Sequence, residues 1–131
     1  KDTVLAEEVL DLSLNKMPIK NFGHISLSMG YPELYYRIGN KEKARISAET
    51  LIDIFKQRLN YYGTFKEEDL ELVIENIQMS VYMYESILGQ IQQYDDSTYF
   101  EQKGDEFVNI MEIFSYLMPD ESTRAVDPLK L

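Results

Sequence analysis

The chain has 131 residues, 13 basic against 23 acidic side chains for a formal net charge of −10, and no cysteine. That length supports one domain with its own core, while the charge repels a phosphate backbone and an anionic bilayer alike, which disfavours nucleic acid as a partner. The missing cysteines exclude disulfides, zinc–thiolate sites and thiol nucleophiles.

In chain order, residues 3–17 place Leu5, Val9, Leu12 and Met17 on one side of a helix, and Pro18 ends it. Residues 19–30 have no clear period and read as a connection. The second helix includes Glu33 to Ile38, with Pro32 either in its first turn or kinking a longer helix that begins near Ile25. Gly39 suits the left-handed position after a helix end, and Asn40 suits the N-cap of the next helix.

A third helix over 41–62 carries Ala44, Ala48, Leu51, Phe55, Leu59 and Tyr62 as one buried stripe and stops at Gly63. Thr64 and Glu67 have the spacing of a capping box for a fourth helix, 66–94. There Leu70, Ile74, Ile77, Val81, Tyr84, Leu88 and Ile91 repeat at heptad steps, widened by Val73, Met79, Met83 and Ile87. Thr98 and Glu101 offer a second capping box for a fifth helix reaching about Met118, with Phe107, Ile110, Met111, Phe114, Leu117 and Met118 inward. Pro119 stops it. The reading is all-α: about five antiparallel helices in one domain, 1–118, with a loosely ordered tail over 119–131.

Tyr35, Gly39, Asn40 and Ala44 together make a joint. A tyrosine nine residues before an alanine, with a glycine between, is the spacing of the tetratricopeptide repeat, in which small alanines let two helices approach and the tyrosine fills their angle. Ala6 and Pro18 bracket the first helix as the second half of a preceding repeat. The interval from Ala6 to Ala44 is 38 residues rather than a regular 34, and residues 64–118 carry no repeat signature, only two long amphipathic helices.

A longer string is more specific. Met17, Pro18, Tyr35, Tyr36, Gly39, Lys43, Ala44, Leu59, Tyr61 and Tyr62 stand in an order that resembles the soluble C-terminal region of a family of large bacterial multi-pass membrane proteins of unknown function. These are similar to protein O-mannosyltransferases in their membrane portion. The resemblance covers residues 3–63. It implies a tetratricopeptide-like extramembrane module on the extracytoplasmic (periplasmic) side, with any glycosyl transfer belonging to a membrane portion outside this chain. No catalytic residue carries over. Residue 1 is Lys rather than Met, which fits a fragment or processed product tethered through a preceding membrane segment. The chain itself has no apolar run near the roughly 20 residues of a spanning helix, so direct membrane insertion is not expected.

Catalytic signals are weak. His24 is the single histidine. The acidic pairs Glu7-Glu8, Glu67-Glu68-Asp69 and Asp95-Asp96 read as helix-end and surface charge. No phosphate loop, nucleophile elbow or metal-ligand spacing is present, so no catalytic, cofactor or metal residue is assigned. The ten tyrosines offer a binding surface instead, with Tyr31, Tyr36 and Tyr61 as candidate partner-binding residues. The function expected is a non-enzymatic module binding protein, either another polypeptide or its own membrane domain. The alternative is a glycan- or peptide-acceptor-binding domain serving a membrane glycosyltransferase.

Overall fold

The structure, a computed structural model, describes residues 2–16 and 28–114. The described residues are all-α, with five helical stretches and no strand. Helix α1 spans Asp2–Lys16, α2 Tyr31–Arg37 and α3 Lys41–Gly63. Next come α4 (Glu67–Leu70), a 3-10 turn (Glu71–Val73) and α5 (Ile74–Tyr94), which form one helical run. Helix α6 (Ser97–Met111) and a 3-10 turn (Glu112–Phe114) follow. Met17, Pro18, Ile25, Leu117, Met118, Pro119 and the tail over 119–131 lie outside the described residues.

The core forms where periodicity places apolar side chains on facing stripes. Ala48, Leu51, Phe55 and Leu59 of α3 meet Ile77, Val81, Tyr84, Leu88 and Ile91 of α5, and Phe114 closes the far end. Ile52 and Ile87 are also buried, whereas Met79, expected to widen the stripe, is exposed. Polar and aromatic pairs show the register. Tyr62 meets Asn76, Phe55 meets Tyr84 and Arg45 meets Asp95, so α5 runs antiparallel to α3. Tyr84 meets Phe107, and α6 then runs back alongside α3, pairing Glu49 with Tyr99 and Lys56 with Glu106.

Pro32 sits in the first turn of α2, where its missing N–H costs nothing. Neither expected capping box forms. The Thr64 hydroxyl donates back to the Tyr61 carbonyl at the end of α3, and α4 starts from Lys66 without a side-chain cap. Helix α6 begins two residues earlier than a Thr98 cap would start it because Asp96 is its cap, accepting from the Tyr99 N–H at 2.8 Å. A carboxylate preceding the helix outcompetes a threonine already inside it, since it reaches an orphan N–H from an extended backbone and also meets the positive end of the helix dipole.

Helix α1 departs most from the rest. Its described side chains are half-buried or exposed, none fully buried. The side shared by Leu5, Val9 and Leu12 is turned outward, with 62%, 55% and 55% of each residue accessible.

Candidate interaction site

The joint between α2 and α3 supports the site. Gly39 has φ +88°, the left-handed conformation that glycine adopts without a Cβ penalty. The Gly39 N–H donates to the Tyr36 carbonyl at 3.1 Å and the Asn40 N–H to the Tyr35 carbonyl at 2.9 Å, the paired bonds of a Schellman ending. The Asn40 side chain then accepts from the Lys43 N–H at 3.0 Å and starts α3. Ala44 is fully buried and Tyr35 nearly so, which lets the two helices close on each other. Together the four residues form the reversal between α2 and α3.

A polar network clamps the joint to the turn between α5 and α6. The Asp95 side chain is wholly inaccessible and accepts from Arg45 Nε at 2.9 Å, Arg45 Nη2 at 2.6 Å and the Tyr36 hydroxyl at 2.6 Å. Burial works to raise the Asp95 carboxyl, but Arg45, Tyr36 and the Asp96 backbone N–H outweigh it and hold it well below the usual carboxylate range. The Tyr36 phenol is pushed up by burial and by the Asp95 charge, so it stays protonated and donates. Its ring stacks on Tyr94 at 5.7 Å between centroids, and Arg45 lies 4.0 Å over the Tyr99 ring. Arg45 and the Tyr36 hydroxyl thus both bind Asp95, and the cluster fastens α2 and α3 to the turn between α5 and α6.

Lys43, one residue before Ala44, reaches the other way. Its ammonium lies 2.5 Å from Glu7 Oε2 and 2.6 Å from Asp11 Oδ2 on α1, and the Tyr35 hydroxyl donates to Asp11 Oδ1 at 2.7 Å. The Lys43 ammonium, with Asn40, lowers the Glu7 carboxyl; Lys43, with Tyr35, lowers that of Asp11. Glu7 and Asp11 are four residues apart and share a face. Turning that face onto Lys43 rotates Leu5, Val9 and Leu12 to the opposite side, because they lie roughly half a turn away around the helix. Leu14 alone of the α1 leucines packs against the main core. The result is an exposed apolar seam of Leu5, Val9 and Leu12 at steps of four and three.

The three candidate tyrosines do not share a surface. Tyr31 is half-buried at the start of α2, and Tyr36 is half-buried with its hydroxyl committed to Asp95. Tyr61 is 62% accessible but lies about 25 Å along α3 from Ala44, packed with Tyr62 and Phe65. A shallow cleft on α5, lined by Ile74, Ile77, Val81, Tyr82 and Phe114, holds about 180 Å³, below the size of ordinary ligand pockets. His24 lies outside the described residues, and among those described no three acidic or histidine side chains converge as a metal site. No described helix is long and apolar enough to cross a membrane.

Sequence reasoning found the α1 seam as a periodic stripe and missed that it faces outward. The available signal was the second stripe on the same helix, Glu7 and Asp11, whose spacing makes it the polar equivalent of a packing face. No family model, no curated protein and no solved structure matches the chain.

Proposed function

We propose that the chain is a non-enzymatic helical-hairpin module that binds protein through the outer face of α1. The observation that carries this reading is the orientation of that helix. Leu5, Val9 and Leu12 stand in the periodic array that normally builds a core, yet they face away from the helices α1 is attached to. A tetratricopeptide-like array supplies a reason, since each helix of such an array has a neighbour on both sides. The commitment of Arg45 and the Tyr36 hydroxyl to Asp95 supports a binding rather than a catalytic role. The resemblance to the C-terminal region of multi-pass membrane proteins suggests the setting. The module would work beside the membrane on the extracytoplasmic side, and its partner would be the membrane domain of its own protein or a separate polypeptide.

A photo-crosslinking amino acid at position 9, in the natural full-length protein in its own cell, tests the reading against the same probe at exposed position 57 on α3. Position 9 should give a specific polypeptide adduct, within the chain or to another, that position 57 does not. An identical pattern from both positions, or no adduct from position 9, would overturn it.

A further inference from the structure

We infer that the seam on α1 takes an amphipathic helix with basic flanks. This rests on the protein-binding reading above and names the chemistry of the partner. The spacing specifies a helix. Residues 5, 9 and 12 advance by four and three, the interval at which one helix offers knobs and holes to another. Strand addition by an extended peptide would need a free strand edge, and the described residues contain no strand.

Charge specifies the flanks. Glu8 is exposed and lies roughly 40° around the helix from Leu12, at the seam's edge, where a partner's flanking side chain would pass. Over residues 3–15, helix α1 carries Glu7, Glu8 and Asp11 and no basic side chain. The single ammonium of Lys43 is shared between Glu7 and Asp11, so that pair keeps a net negative charge behind the seam. Thr3 and Asn15, also exposed on α1, add no positive charge. A second copy of the chain would bring its own Glu7, Glu8 and Asp11 to the same face, and like-charge repulsion works against such a pairing. Lysine or arginine beside an apolar stripe satisfies both the seam and its acidic edge.

The test uses two synthetic helical peptides with the same leucine seam, one flanked by lysine and one by glutamate, titrated onto the protein by calorimetry. At low salt the lysine peptide should bind on the order of tenfold or more tighter than the glutamate peptide, and the ratio should shrink in 1 M salt. Val9→Asp separates seam binding from adhesion to an acidic surface. It adds negative charge, so simple adhesion would persist or strengthen, whereas seam binding should be lost. Position 9 is exposed, so the fold is expected to survive the change, and circular dichroism checks it. Glu8→Lys should reduce the preference for the lysine peptide. Equal binding of the two peptides, binding of neither, binding that survives Val9→Asp, or self-association that Val9→Asp abolishes would each overturn the inference. If the crosslink from position 9 is found while the peptides bind equally, the protein-binding reading stands and the basic flank alone is wrong.

Discussion

Helix α1 and the bundle of α3, α5 and α6 use the same residue types in opposite ways. In the bundle, apolar stripes face one another, and polar pairs such as Glu49–Tyr99 and Lys56–Glu106 run along the outside. In α1 the polar pair Glu7 and Asp11 makes the attachment, and the apolar stripe is left outside. Apolar burial is cooperative and is not screened by salt, whereas a partly exposed ion pair contributes little and is screened. The bundle should therefore behave as one unfolding unit, and α1 as a helix that can leave it.

The largest expected effect breaks the bundle. Phe55 is fully buried against Tyr84, and Phe55→Ala should cost about 3–5 kcal/mol in urea unfolding. Because α1 docks on α2 and α3, its amide protection should fall together with that of the bundle. Lys43→Met breaks the comparison from the other side. It removes the ammonium that holds Glu7 and Asp11 while keeping the aliphatic stem, so α1 amides should lose protection in hydrogen exchange and those of α3 and α5 should change little.

Acid sharpens the same contrast. Glu7, Asp11 and Asp95 all have lowered folded pKa values, Asp95 the most strongly. A lowered carboxylate contributes its full stabilisation above its unfolded value and loses it as pH falls through the folded one. On acidification α1 should thus detach first, followed at lower pH by the Asp95 clamp, and backbone exchange or NMR shifts across the carboxylate range would show the order. The smallest effect belongs to Tyr84, whose hydroxyl is buried without a hydrogen-bond partner. Tyr84→Phe should leave stability unchanged or raise it by up to about 1 kcal/mol, measured by thermal unfolding. A loss of more than that would mean the hydroxyl has a partner.

Much of the fold was legible because α3 and α5 each have one apolar stripe, and a single stripe has a single place to go. The joint was legible for a different reason: Gly39 and Asn40 act through their own backbones, within a few residues. Helix α1 carries two stripes, and periodicity says which residues share a face without saying which face docks. That choice depended on Lys43, which lies 36 residues from Glu7. The Asp95 clamp was hidden likewise, because Arg45 and Asp95 are 50 residues apart and nothing in either neighbourhood names the other. The caps were misread because Thr-x-x-Glu describes only a spacing: Asp96, two residues before Thr98, caps α6 through the Tyr99 N–H, and Thr64 bonds back onto α3 instead.

Gly63, where α3 ends, has a reach beyond its own turn. A Cβ there would stand 2.6 Å from Cγ2 of Ile113, so the 3-10 turn after α6 rests directly on the bare backbone of residue 63. The neighbouring Phe114 is buried at one end of the α5 cleft. Adding a single methyl group at position 63 would act as a wedge, lifting this turn and resizing a depression built mainly by a different helix. The shape of the α5 surface is thereby set by the smallest side chain at the end of α3.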